Sequence, residues 1–210
     1  MEKALKHFKK HDPILYDLAV KVEVKPLVKP PDPLRRSSSE ASSFVDLVES
    51  IINQQLSGKA AATIFGRFKK LFPKEKITAG KLLKLKDKQI RSAGISYSKI
   101  KYIKGIANEI VERRLDLSKM ETLNDEQVIE EMVKLKGVGV WTAEMFLMFT
   151  LLRPDVFSAG DLGLQNAIVK HYRFKNKPSR QELLDLSSKW SPHRTTASRI
   201  LWRSLETISE

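Results

Sequence analysis

Apolar residues along this chain recur mostly at helical spacing. Phe44, Leu47, Val48, Ile51 and Ile52 stand at i, i+3, i+4, i+7 and i+8, which predicts a helix from about Ser43 with one buried stripe. Ala60, Ile64, Phe65 and Phe68 mark a second helix that stops before Pro73. Short helices are predicted over Thr78–Leu85 and Asp87–Ala93, with Gly94 as a C-terminal cap, and a longer one over Ser98–Arg113. Asn124 with Gln127, and Ser179 with Glu182, have the spacing of capping boxes, the first opening a helix that ends near Lys134. Pro192 suits the first turn of the last helix. The alternation over Val20–Lys25 is the one strand-like stretch, and it reads equally as the end of a helix. Four prolines between Pro26 and Pro33, then Arg35-Arg36-Ser37-Ser38-Ser39, predict an extended connector. The pattern is therefore mainly all-α. N-terminal helices and the connector occupy residues 1–42 and pack on a core over residues 43–210.

Composition narrows the function. A length of 210 residues suffices to bury a core. No run of about 18 apolar residues occurs, so no membrane span is expected. Met1-Glu2-Lys3-Ala4-Leu5-Lys6 lacks the apolar centre of a signal peptide. Zero cysteines exclude disulfides, thiolate catalysis, zinc–thiolate sites and iron–sulfur clusters. A net charge of +13 with a pI near 9.8 predicts a polyanionic partner. The excess is concentrated: Gly66 to Arg114 holds 15 Lys/Arg against 4 Asp/Glu. Charge alone does not separate DNA from RNA, an acidic membrane surface or a plain solvated face.

The most informative stretch is Leu135-Lys136-Gly137-Val138-Gly139-Val140-Trp141-Thr142-Ala143-Glu144. One amphipathic helix ends at a Gly-x-Gly turn and another begins at once. Two glycines permit a tight, partly left-handed backbone and let it approach a ligand closely. Amides at the start of the new helix then suit a phosphate. Taken alone, the turn is equally an ordinary helix–helix connection.

Its neighbours add to it. Arg153-Pro154-Asp155-Val156-Phe157-Ser158-Ala159-Gly160-Asp161-Leu162-Gly163 follows, Ile52-Asn53-Gln54-Gln55-Leu56-Ser57 precedes, and Trp190-x-Pro192-x-Arg194 with Leu201-Trp202 closes the chain. In this order the four motifs resemble the helix-hairpin-helix DNA glycosylase superfamily, and within it the alkylation-repair branch of 3-methyladenine DNA glycosylase II. The resemblance spans roughly Ser43 to Leu205. It implies the helix-hairpin-helix glycosylase fold, with two helical subdomains and the active-site cleft between them. The hairpin would lie at about 134–142 and the catalytic loop at about 153–163. The length implies the compact form that lacks an N-terminal β-domain.

The resemblance further implies a monofunctional enzyme that flips N-alkylated purines out of duplex DNA, hydrolyses the N-glycosidic bond and leaves an abasic site for base excision repair. Bifunctional relatives place a lysine directly after Gly-x-Gly-x to form a Schiff base with the sugar. Trp141 stands there in this chain, and indole is no such nucleophile. The absent cysteines also set it apart from the endonuclease III and adenine-mismatch branches, whose usual members carry a four-cysteine iron–sulfur cluster.

Asp161 is the implied catalytic residue. Breaking the bond builds positive charge on the sugar, which a carboxylate stabilises while orienting or deprotonating the attacking water. A base alkylated at a ring nitrogen is already cationic and leaves without a separate acid. Asp161 is also placed to cap a helix over Leu162–His171, and the two roles are compatible because a helix N-terminus favours negative charge.

Trp141 and Trp202, with Met145, are the implied walls of the base pocket, since an electron-rich ring attracts a cationic purine. By residue type alone both tryptophans could be core aromatics. Gln55 is the implied plug for the gap left by the flipped nucleotide. Lys136, Gly137, Val138, Gly139, Thr142, Ser57 and Lys59 are the implied DNA contacts. Gly160 departs from relatives that carry a second acidic residue there.

No cofactor is implied, and no protein metal site. His7 and His11 lie four apart without an apparent third ligand, and His171 and His193 show no evident acid–base partner. A monovalent cation on the hairpin's backbone carbonyls, frequent in the superfamily, is left open. The expected partner is duplex DNA with damaged bases, bound by a monomer inside the cell, in the nucleoid or the nucleus. The competing reading is a non-catalytic binder of abasic or distorted DNA.

Overall fold

A computed structural model describes residues 1–24, 40–56 and 58–207. Among these the chain forms twelve α-helices and no β-strand. They are α1 (Glu2–His11), α2 (Pro13–Lys21), α3 (Glu40–Asn53), α4 (Gly58–Lys69), α5 (Ala79–Lys84) and α6 (Asp87–Ser92), then α7 (Tyr97–Val111), α8 (Asp125–Val133), α9 (Val140–Met145), α10 (Leu162–Tyr172), α11 (Arg180–Ser188) and α12 (Arg194–Thr207). Two compact units result. One joins Met1–Val28 to Leu147–Glu210, and the other is Lys29–Phe146.

In the first unit, α1 packs on α2, and α12 packs on both α2 and α10. Phe8, Leu15, Leu164, Ala167, Ile168, Leu183, Trp190, Ala197, Ile200 and Leu201 make its apolar centre. Asp12 breaks the chain between α1 and α2, caps α2 by accepting from the Leu15 amide at 3.0 Å, and is followed by Pro13 at the first helical position. The same buried carboxylate accepts from the Trp190 indole at 2.7 Å and from the Tyr172 hydroxyl at 2.6 Å. Burial, and then the bond to Asp12, push the Tyr172 phenol well above its ordinary range. Removing the carboxylate strands three donors: the Leu15 amide, the Trp190 indole and the Tyr172 hydroxyl. Asp12→Ala is therefore expected to cost about 2–4 kcal/mol of stability, read as a fall in the urea midpoint, while Asp12→Asn loses less.

In the second unit, the predicted stripe of α3 is entirely interior: Phe44, Leu47, Val48, Ile51 and Ile52 are at most 1% exposed. Each contributes about 1.5–3 kcal/mol by leaving water, before conformational entropy is subtracted. This face meets α4, α7 and α9, while α5 and α6 pack on α7.

Helix ends follow local chemistry. Thr78 caps α5, Ser96 caps α7, and both predicted capping boxes, Asn124/Gln127 and Ser179/Glu182, form. Gly94, past the end of α6, has φ +103° as its capping position demands. The strand-like alternation ends differently on either side. α2 stops at Lys21 with Val22 extended, and the residues from Lys25 through the Pro/Ser connector lie outside those described. Pro192 is a correction. It sits in the turn before α12, which starts at Arg194 because Asp155 accepts the Arg194 amide.

Candidate active site

In the first unit, a loop carries the chain from residue 151 to Asp161. It is sewn to the start of α12. Thr195 donates its hydroxyl to the Arg153 carbonyl (2.6 Å), accepts from the Val156 amide (3.1 Å) and donates its own amide to Pro154 (3.0 Å). Arg194 binds Asp155 through its amide, Nε and Nη2, and Ser191 adds its hydroxyl at 2.7 Å. Burial alone would raise the Asp155 carboxyl, but the bonds from Arg194 and Ser191 outweigh it and hold it below the usual range. A lowered carboxyl stabilises the fold above its unfolded value, and that stability is lost as pH falls through the folded one. Asp155→Asn is thus expected to lower stability at neutral pH and to shrink the acid dependence of the unfolding midpoint.

At the loop's end Asp161 is 9% exposed. Its Oδ1 accepts from the Leu164 amide at 2.7 Å and from the Trp202 indole at 2.8 Å. The carboxylate therefore caps α10, as its spacing suggested, and is also fixed by an aromatic residue on α12. Gln165 donates to the Ala159 carbonyl at 2.8 Å, steadying the turn before it. Gly163 belongs here too. A Cβ at this position would lie 3.1 Å from both Asp161 Oδ1 and Trp202 Cδ1, so only glycine leaves the pair undisturbed. Trp202 in turn lies 6.0 Å from Phe149, ring centre to ring centre, and lines a pocket of about 430 Å³ with Phe149, Arg199 and Arg203.

In the second unit, the hairpin and α9 carry most of the other predicted residues. α8 ends at Val133, and Leu135 and Val138 close successive tight turns through their amides, to Met132 and Leu135. Gly137 takes φ +91°, and a Cβ there would run into the Tyr102 ring. Gly139, the N-cap of α9, has ordinary backbone angles and open space around it, so only the first glycine is required by conformation. Lys136 and Gly139 are exposed and Val138 is buried. On α9, Trp141 is 38% exposed and Met145 9%. Thr142 is buried, its hydroxyl accepting from Gln54 Nε2 at 3.0 Å. Gln55 is exposed, with a left-handed φ of +59°. Lys59 is exposed on α4, and Ser57 lies outside the described residues.

Sequence reasoning passed over Phe149 and Gly163 as working parts of these sites. Only Gly163 carried a signal, as a small residue two positions after the aspartate. His7 stacks on His11 and bonds the Lys189 carbonyl, and His171 pairs with the Ser204 hydroxyl. No group of three His, Asp or Glu side chains able to hold a metal ion occurs among the described residues. Nor is any of their helices long and apolar enough to cross a membrane.

Residues 48–193 match the HhH-GPD superfamily of base excision DNA repair proteins. The chain belongs to this superfamily. Among HhH-GPD proteins, DNA-3-methyladenine glycosylase 1 of Schizosaccharomyces pombe is 33% identical over 171 residues, covering 80% of this chain and 75% of its own. The Bacillus subtilis protein YfjP, provisionally named a DNA-3-methyladenine glycosylase, is 34% identical over 166 residues. That alignment takes in 76% of this chain but 58% of YfjP, so the chain spans little more than half of that relative. The solved structure of the S. pombe 3-methyladenine DNA glycosylase Mag1, a complex with abasic DNA, superposes with a TM-score of 0.82 at 28% identity, covering 99% of this chain and all of that one.

Proposed function

We propose that this chain is a monofunctional DNA glycosylase acting on N-alkylated purines of the 3-methyladenine type. It flips the damaged base out of duplex DNA, hydrolyses the N-glycosidic bond and leaves an abasic site for repair. The observation that carries this reading is the Asp161–Trp202 pair: a carboxylate anchored by a helix amide and an indole N–H, in a fold whose named relatives are glycosylases. Both donors fall on one oxygen, which fixes the plane of the carboxylate. So held, the negative charge needs no reorganisation when the sugar becomes cationic, and the group can orient the attacking water. Water adds to the anomeric carbon as the base departs with the bond's electrons. An alkylated purine leaves as a neutral base because it began as a cation.

On α9, Trp141 and Met145 supply aromatic and apolar surface that favours a cationic base, and on α12 Trp202 supplies the same. Trp141 also stands where a Schiff-base lysine would be needed, so the reaction stops at the abasic site. Gln55 fills the vacated stack. Lys136, Lys59, Ser57 and the hairpin backbone from Gly137 through Thr142 position the phosphates. The enzyme works wherever its cell keeps its DNA, with no cofactor.

Incubation with methylated duplex DNA tests the proposal. Free methylpurines should appear, and strand breaks should follow only after alkali. Breaks without alkali would contradict the monofunctional assignment. Tight binding to abasic duplex without any base release would leave a damage-binding protein in its place.

A further inference from the structure

Two side chains with no assigned part in the chemistry converge on the loop between α3 and α4. Gln54 reaches across to the hairpin, donating from Nε2 to the Gly137 carbonyl at 3.1 Å and to Thr142 Oγ1 at 3.0 Å. Lys99, in the first turn of α7, donates from Nζ to the Ile52 carbonyl at 2.8 Å and to the Gln54 carbonyl at 2.7 Å. Those carbonyls lie at the end of α3, where acceptors lack helical partners and a cation is favoured. Burial lowers the Lys99 amine from its ordinary range, the cost of holding an ammonium among backbone carbonyls. Between these ties sits Gln55, exposed and in the left-handed region that non-glycine residues rarely enter. On its far side the Leu56 amide closes back onto the Asn53 carbonyl at 3.1 Å.

We infer that Gln54, bonded to the hairpin, and Lys99, reaching from α7, are positioning residues that lock the Gln55 loop, so that the gap-filling side chain is held in place before DNA arrives. The inference rests on the plug role proposed for Gln55. Its physical content is that a strained backbone is retained because both flanks are over-determined. A free loop would relax Gln55 out of the left-handed region, and extrusion would then have to order it again.

The test uses the full chain with Gln54→Ala, Lys99→Met, Lys99→Arg and Gln55→Ala, and with Gln55→Ala combined with each of the first two. Single-turnover release of methylpurine from duplex DNA should fall about 10- to 100-fold in Gln54→Ala and Lys99→Met, the scale of a displacement near 1 Å. Lys99→Arg should recover most of the loss. Adding Gln55→Ala to either variant should remove little more, since both act through Gln55. Losses that multiply with Gln55→Ala, or an arginine no better than methionine, overturn the inference. Should Gln54→Ala fail to fold, the two Lys99 variants decide it.

A second readout does not depend on catalysis. In a duplex with 2-aminopurine opposite a tetrahydrofuran abasic analogue, the fluorescence change on binding should be lost alike in Gln55→Ala, Gln54→Ala and Lys99→Met. A wild-type change that persists in the latter two sinks the lock even if base release is never seen. Absent release with the expected fluorescence pattern instead rejects the glycosylase reading and keeps the lock.

Discussion

Replacing Asp161 with Asn is expected to slow methylpurine release by at least about 100- to 1,000-fold, roughly 3–4 kcal/mol of transition-state stabilisation, while leaving the protein folded and able to bind abasic duplex. The geometry makes this substitution unusually clean. Oδ1 of Asp161 receives the Leu164 amide and the Trp202 indole, and the amide oxygen of Asn can receive both. The cap of α10 and the setting of Trp202 therefore survive while the negative charge is lost. Asp161→Ala would be a poorer probe, because it uncaps the helix and strips the indole of its acceptor. Single-turnover release, with thermal unfolding and gel-shift binding as companions, gives the answer. Release within threefold of wild type would show that the carboxylate does not stabilise the cationic sugar.

The second large effect is expected at Gly137. Gly137→Ala should lower stability by about 2–4 kcal/mol, combining backbone strain at φ +91° with a Cβ forced into the Tyr102 ring. Binding to duplex DNA should weaken with it, since the turn must shift. Combining it with Tyr102→Ala should relieve the collision and leave the strain. Gly139→Ala supplies the contrast. Its backbone is ordinary and nothing lies within 4 Å, so stability should stay within about 0.5 kcal/mol of wild type. A loss of DNA affinity in that variant would support the proposed approach of a phosphate to this backbone. Urea unfolding of the four proteins separates these terms. A Gly139→Ala protein as unstable as Gly137→Ala would refute the distinction between the glycines.

That distinction marks where the sequence was legible. Short-range rules carried well: Asn124 with Gln127 and Ser179 with Glu182 need only three residues and a hydroxyl or amide to declare a helix start. The α3 stripe was equally plain, since burial of one face imposes its own period. The Gly-x-Gly turn was visible too, but its two glycines look identical until φ and Tyr102 are known. Long-range chemistry left no trace in spacing. Gln54 meets Thr142 across 88 positions, Trp190 meets Asp12 across 178, and Trp202 meets Asp161 across 41. Nothing local about an indole says whether its N–H serves a core carboxylate or a working one. In this chain the Trp190 N–H goes to the buried Asp12, and that of Trp202 to Asp161, the proposed catalytic carboxylate. Pro192 misled for a related reason: the start of α12 is set by Asp155, a residue 39 positions earlier.

The tie between Asp12 and Trp190 has a consequence for how the molecule is made. α1 and α2 leave the ribosome well before α10, α12 and Trp190, which complete their buried face. At roughly 5–20 residues per second, this helix pair waits on the order of ten seconds or more for those partners. The Lys29–Phe146 unit is synthesised in that interval and contains its own core. Throughout, Phe8 and Leu15 stay without their cover. These two helices therefore stay exposed during synthesis, open to chaperones or proteases until their partners arrive.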